Sequence, residues 1–415
     1  MAEAMELADL KVIDADSHIT EPPDLWTSRV PKIMLADVPQ VARHPQTGHS
    51  HWRIRDSWLL TVGHYARAGW GFYPPSAPKE LHEVDPGSWR AADRLQRLDE
   101  YGIYGQVLYP NIIGFEAPVF AKMDRALSLA CTRAYNDFLI DFSSADAKRF
   151  IPIAMVPFWD IDMAVAELER ARKTGHKGAL FSNMFEQIGY PSFTDPHWDR
   201  IYVAAQDLGM SINFHVGFSS YKDGYSETRA RKEAAARAAK GGAPDQLVHS
   251  PNTDPFAEQF DPRVGAKTSV LTMLQAIDPL VKLLTEGLCE RFPKLKFVFV
   301  ESGFGYVPFL LESLDWHWKG YGAHLKYPAL PSEYFRRQCY GSFWFETGTL
   351  PLLEAYPDNF MFETDYPHPT GMSPGPASPA ENPAAHIARH MSKLPFDVSR
   401  KALHDNAAML YHMDG

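Results

Sequence analysis

Cysteine, basic charge and long apolar runs are all scarce in this sequence. The three cysteines, Cys131, Cys289 and Cys339, are odd in number and widely spaced. That excludes a disulfide framework and a cysteine-built zinc site as organising features, and a reducing, cytoplasmic setting fits. Lys and Arg number 41 against 51 Asp and Glu, a formal net charge of −10 over 415 residues. General nucleic-acid binding needs a basic footprint to neutralise phosphates, so the expected partner is a small organic substrate. No segment approaches the roughly 18 consecutive apolar residues of a membrane span. The stretch Met1–Lys11 lacks the basic start and apolar run of a secretory leader, so no membrane partner is expected. Any internal repeat of fixed period is absent as well.

Core-forming residues are abundant: 45% of the chain is hydrophobic and 13% aromatic, with 10 Trp and 25 Phe. The length accommodates two average domains, or one eightfold barrel with insertions. Short apolar runs rich in β-branched and aromatic residues recur at 11–17, 105–110, 150–158, 177–182, 211–216, 296–301, 338–345 and 359–364. Helical patterns lie between them, at 118–142, 161–174, 196–208, 267–291 and 305–318, and a last one closes the chain at 397–411. Alternation of this kind predicts a parallel sheet. Eight strand signals favour a closed α/β barrel, the (β/α)8 or TIM barrel, over an open doubly wound sheet. The open sheet more often has about five to seven strands and a G-x-G-x-x-G turn after the first, which is missing here. The expectation is a single domain, 1–415, with long insertions after strands 1 and 5. These insertions, 20–90 and 218–265, are placed to form a lid or substrate pocket over the catalytic face.

In Val-Ile-Asp-Ala-Asp-Ser-His, the residues Asp14, Asp16 and His18 alternate and so share one face of an extended strand. Carboxylates and an imidazole at the end of an apolar strand are costly inside a barrel unless a cation or hydrogen bonds compensate them. The bland alternative is a surface turn in which the Asp residues cap a helix. His215 ends the apolar run Ser-Ile-Asn-Phe-His, Glu301 follows Phe-Val-Phe-Val, and Asp365 and His368 follow Asn-Phe-Met-Phe-Glu-Thr. A lone histidine at a strand end is more often structural. Four strand ends carrying His or carboxylate on one face of a barrel point instead to a metal. Without thiolate the donor set suits zinc, iron or manganese, as one or two divalent ions.

Taken together and in order, these marks resemble the amidohydrolase-related branch of the metal-dependent hydrolase superfamily. That branch includes aminocarboxymuconate-semialdehyde decarboxylase-like enzymes and some diiron monooxygenases. The marks are Asp16-Ser-His18 with Ile-Thr-Glu21-Pro, His215, Glu301-Ser-Gly303, Thr364-Asp365-Tyr366-Pro-His368, and Asn406-Ala-Ala-Met-Leu-Tyr411. The resemblance spans nearly the whole chain. It implies that Asp16, His18, His215 and Asp365 are metal ligands and that Asp365 also steers or deprotonates a metal-bound water. One departure stands out. The decarboxylases of this branch usually carry a histidine after strand six, where this chain has Glu301. As an anion, glutamate is a base or a further metal ligand and neither donates a proton nor offers positive charge.

The leading expectation is therefore a metal-dependent hydrolase that turns a metal-activated water on a carboxylic-acid derivative or thioester, with Asp365 or Glu301 handling the proton. A dinuclear non-haem iron monooxygenase acting on a bulky acyl substrate is the second reading, and a non-oxidative decarboxylase the third. A non-enzymatic binding protein would instead show a closed metal shell. Glu21, Tyr109, Asn111 and Asn183 are candidates for lining the pocket or for local hydrogen bonds, and His317 for a packed helix residue. Arg229, Arg231, Lys232, Arg237 and Lys240 form either a solvated helical face or an arm that grips a coenzyme A thioester. The stretch from Trp316 to Tyr327 is a candidate for a lid or for the subunit contact of a homo-oligomer.

Overall fold

The computed structural model describes residues 7–73, 76–218, 262–324 and 328–413. The basic segment around Arg229 to Lys240, and most of the insertion 218–265 that carries it, lie outside the described residues.

Described strands in chain order are β1 (Ile13–Ile19), then β2 (Gln40–Arg43), β3 (Ser50–Ile54) and β4 (Ser57–Thr61) within the first insertion. They continue with β5 (Gly105–Pro110), β6 (Phe150–Met155), β7 (Gly178–Leu180), β8 (Ser211–His215), β9 (Phe297–Val300), β10 (Cys339–Phe343) and β11 (Phe360–Phe362). All eight strand signals of the sequence are present, and they pair in parallel in the order β1-β5-β6-β7-β8-β9-β10-β11. Every residue of β1, β5, β6, β8 and β9 is buried. Strands covered on both sides read as continuous apolar runs, as these do. The ring closes between β11 and β1 through backbone bonds just beyond β11: Asp365 N to Asp16 O at 3.0 Å and His18 N to Tyr366 O at 2.7 Å. The closing seam therefore runs through residues whose side chains the sequence analysis singled out.

Helix Ile161–Thr174 coincides with its sequence signal because both ends are encoded locally. Asp160 accepts a hydrogen bond from Met163 N, and Gly175 takes the left-handed conformation that ends the helix. Elsewhere helical periodicity ran through breaks. The signal at 118–142 is two helices, Ala117–Ala121 and Arg125–Ser143, because Asp124 caps a new start. The signal at 267–291 is three, Pro262–Met273, Ile277–Thr285 and Leu288–Arg291, with Gly287 left-handed before the last. His317, expected to be packed, is exposed on helix Val307–Tyr321, as are Trp316 and Tyr321.

The first insertion contains more regular structure than a loop. Strands β2, β3 and β4 form an antiparallel sheet whose Trp52 meets Trp26 edge to face at 5.2 Å, both fully buried. Trp26 Nε1 donates to Cys131 O on helix Arg125–Ser143, which fixes the sheet to the barrel wall. Its far end docks over the mouth, where Arg67 N and Ala68 N both donate to Pro367 O, at 2.8 and 3.1 Å.

At the end of the fold, Asn406 Nδ2 donates to Pro357 O and Phe360 O, so the last helix is tied to β11, while Tyr411 OH donates to Asn213 Oδ1 inside the barrel at 2.9 Å. Replacing Asn406 by Ala leaves two carbonyls without these donors. The expected loss is about 1–3 kcal/mol of unfolding free energy, to be read from urea denaturation followed by tryptophan fluorescence.

Candidate metal centre

His18 and His215 arrive from β1 and β8 with their Nδ1 atoms already engaged. His18 Nδ1 lies 3.0 Å from Pro110 O and His215 Nδ1 lies 2.7 Å from Val216 O. A carbonyl only accepts, so each Nδ1 carries a proton, and it is Nε2 that can offer a lone pair. Those two Nε2 atoms face one another at 2.9 Å. Asp16 spans the pair, with Oδ1 3.5 Å from His18 Nε2 and Oδ2 3.4 Å from His215 Nε2. Asp365 Oδ1 stands 3.8 Å from His18 Nε2.

His368, named in the sequence only as a strand-end residue, joins this group. Its ring stacks on His18 at 3.7 Å, and its Nε2 meets Asn111 Oδ1 at 2.7 Å, which leaves Nδ1 as a lone pair 3.0 Å from Asp365 Oδ1. That last contact is out of line for a hydrogen bond. Both oxygens of Asp16 and Oδ1 of Asp365 are buried without any hydrogen-bond donor. Burial, helped by His368 and His215, holds His18 well below the usual imidazole range, and burial pushes His368 down to about 3. Imidazole nitrogens and unanswered carboxylate oxygens are the donor set of a divalent cation. Separations of 2.9–3.8 Å resemble the edges of a coordination polyhedron with bonds of about 2.1 Å. The residues present thus fit a bound divalent metal.

Glu301 faces this centre and does not point into the barrel wall. Its donor atom lies within 4.8 Å of those of Asp16 and Asp365, and Oε2 is 3.9 Å from His215 Nδ1. Glu301 and Asp365 both have positive φ, 54° and 51°, a conformation uncommon outside glycine that concentrates at functional sites. The Thr370 hydroxyl contacts Glu301 Oε1 at 3.0 Å and Asp365 Oδ2 more closely still. A hydroxyl has one proton to give, so Glu301 and Asp365 compete for it. Burial first, then the Asp365 charge, pushes Glu301 up to about 7, and burial pushes Asp365 up to about 7.

Asp14, expected beside Asp16 and His18, sits one layer deeper. It accepts from Thr364 N at 2.7 Å, Thr364 Oγ1 at 2.5 Å, Gln106 Nε2 at 2.7 Å and Asp16 N at 3.2 Å. Its task is to pin the seam. Gln106 Oε1 in turn accepts from the buried Arg94, which also donates to His18 O at 2.6 Å and lies 4.5 Å over the Tyr366 ring. Glu363, unmentioned by the sequence reading, is buried alongside, and burial with the Asp16 charge raises it well above the carboxylate range. Glu21 caps backbone, accepting from Asn111 N and Ile112 N at 2.9 and 2.8 Å, and so fixes the Asn111 that holds His368. Tyr109 OH donates to Asn213 Oδ1 at 3.3 Å within the barrel, and Asn183 is buried beyond β7. Above the imidazoles, Phe115 lies 5.6–5.9 Å from His18, His215 and His368, and Tyr65 packs on Phe115 at 5.2 Å.

Two tests follow from this geometry. His18→Ala and His215→Ala are each expected to lose the metal while keeping a wild-type far-UV circular dichroism spectrum; full metal content in both would rule the assignment out. The second test concerns pH. Asp14 raised to about 6, with Glu301 and Asp365 raised to about 7, bind protons more tightly folded than unfolded. Metal-free protein therefore loses stability as pH rises from about 4 to about 7. Saturating cation is expected to flatten that slope, measured as Tm against pH with and without chelator.

Comparison with known proteins agrees with this picture. A family model described as Amidohydrolase matches residues 13–413. Gamma-resorcylate decarboxylase of Polaromonas sp. (strain JS666 / ATCC BAA-500) is 26% identical over 288 residues, covering 66% of this chain and 76% of the relative. Among solved structures, an amidohydrolase from Mycobacterium avium subsp. paratuberculosis K-10 superposes with a TM-score of 0.69 at 20% identity, covering 97% of this chain and 99% of the other. A dihydroxybenzoic acid decarboxylase from Polaromonas sp. JS666, solved with bound manganese and 2-nitroresorcinol, superposes with a TM-score of 0.54 at 19% identity, covering 97% of both chains. With nearly its whole length matched and its strand-end carboxylates and imidazoles gathered in one barrel mouth, the chain belongs to the amidohydrolase family.

Proposed function

We propose that the chain is a metal-dependent, non-oxidative decarboxylase of a planar, conjugated carboxylic acid such as a hydroxybenzoate, with manganese as the first metal to try. The observation that carries the reading is an aromatic wall set directly against the metal-ligand imidazoles. Phe115 and Tyr65 flank His18 and His368 and offer flat apolar faces to a ring whose carboxylate points at the centre. Arg67 from the first insertion adds the positive charge that Glu301 does not supply, and its field reaches both His64 and His368. The curated relatives that match this chain are decarboxylases.

The sequence expectation favoured hydrolysis because a glutamate anion donates no proton. That objection weakens because burial, then the Asp365 charge, pushes Glu301 up to about 7, which supports a protonated Glu301 near neutral pH. In the proposed role, Asp16, His18, His215, Asp365 and His368 hold a divalent cation, which supplies Lewis acidity toward the oxygens of the substrate. Arg67 orients the carboxylate, and Phe115 with Tyr65 holds the ring and excludes water. The bond between ring carbon and carboxyl carbon breaks, CO2 leaves, and the electron pair stays on the ring carbon. Glu301, held by the Thr370 hydroxyl, delivers the proton to that carbon, with no net oxidation. Hydrolysis is the second reading, favoured by the basic Asp365 beside the ligand imidazoles.

Manganese-loaded protein is to be incubated with a panel of hydroxybenzoates, including 2,6-dihydroxybenzoate, and with ester and amide substrates. CO2 release, with loss of the acid's ultraviolet band, is the expected result. Ester or amide cleavage without CO2 from any acid would replace this reading with hydrolysis. Glu301→Gln and Asp365→Asn, each checked for metal content, are expected to lower kcat by about 10²–10⁴-fold. Arg67→Ala is expected to act mainly on KM.

A further inference from the structure

Beyond the loop that carries Asp365 and His368, the chain gathers a second set of metal-type donors that shares no residue with the barrel mouth. Helix Pro383–His390 starts at Asn382, whose side chain accepts from Ala384 N and donates to Glu100 O, both at 2.9 Å. His386 and His390 are one helical turn apart, so their imidazoles stand on the same face, with ring centroids 4.6 Å apart. Glu381, just ahead of the helix, folds back over them. Its Oε1 lies 3.4 Å from His386 Nδ1 and 3.7 Å from His390 Nε2. Its other oxygen, Oε2, is held by Arg389 Nη2 at 3.0 Å. The carboxylate is thereby oriented with one oxygen toward Arg389 and the other toward the imidazoles.

Tetrahedral ligands with bonds of about 2.0–2.1 Å stand about 3.3–3.4 Å apart. The two carboxylate–imidazole separations lie within a few tenths of an ångström of that, and the three donor atoms fall within 4.8 Å of one another. His386 is buried, whereas the Glu381 and His390 side chains are 27% and 20% exposed, so the group is backed by protein and open to ions from solvent. Two imidazoles with a single carboxylate suit zinc and its transition-metal neighbours over magnesium or calcium, which take mainly oxygen.

We infer that Glu381, His386 and His390 form a second, zinc-type metal site, with water in the fourth position, that locks the junction between that loop segment and helix Pro383–His390. The test is metal content. Protein is equilibrated with Zn2+, freed of excess ion by desalting, and assayed for zinc per chain by mass spectrometry. Wild type is expected to carry one equivalent more than His386→Gln/His390→Gln, and the same difference is expected in a His18→Ala/His215→Ala background, where the barrel mouth is disabled. Because His386 is buried, the single variants Glu381→Gln and His390→Gln, at the more exposed ligands, guard against misfolding; each is expected to weaken Zn2+ binding at least tenfold. Equal zinc content and equal affinity in wild type and both single variants would overturn the inference and leave a surface ion-pair cluster.

Discussion

In the mouth of this barrel, acceptors crowd together with few donors. Two imidazole Nε2 atoms meet at 2.9 Å, a third imidazole nitrogen points at a carboxylate, and four carboxylate oxygens, both of Asp16, Oδ1 of Asp365 and Oε1 of Glu363, have no donor. Five buried carboxylates, Asp14, Asp16, Glu301, Glu363 and Asp365, share the region with Arg94, the one buried guanidinium among the described residues. Gathering them in low dielectric without compensation is unfavourable, and each responds by holding protons more tightly. The surrounding structure keeps that imbalance in place. Carbonyls fix the imidazole tautomers, Asn111 fixes His368, and Arg94 with Gln106 and Asp14 braces the strands beneath.

Much of this was legible in the sequence, for a physical reason. Parallel strands buried on both faces are written as unbroken apolar runs, so a polar residue at their ends is conspicuous, and Asp16, His18, His215, Glu301 and Asp365 were all found that way. Simple alternation misplaced Asp14, because a strand tilted in a closed barrel sends successive inward residues to different layers. Arg94 went unnoticed because an arginine on an amphipathic helix reads as surface. Phe115, Tyr65, Arg67 and Thr370 lie in turns or one-turn helices, where periodicity carries no information. The antiparallel sheet of the first insertion was hidden by its hairpin turn. The link between β3 and β4 uses Arg55 at a φ of 53°, a position where Gly or Asn would have announced a turn.

The first insertion links fold to chemistry most directly. Its sheet is anchored by Trp26 to the helix that follows β5, and its far end by Arg67 and Ala68 to the loop that carries Asp365 and His368. A change in the docking of this one segment would move the aromatic wall, the positive charge and two ligand-bearing residues together. In the proposed function, specificity for substrate and competence of the centre are therefore mechanically joined.

The closing seam has a consequence for how the molecule comes into being. Asp14 and Thr364, which meet there, are 350 residues apart in the chain, and the candidate ligands sit on both sides of the join. A contact of that separation is slow to form and adds loop-closure entropy to the search. During synthesis Asp16 and His18 emerge before His215, and all three wait until the stretch that carries Asp365 and His368 has left the ribosome. No nascent fragment that stops short of Asp365 can gather the full set of candidate donors, so the proposed cation site is completed in a single step that follows the last of its strands.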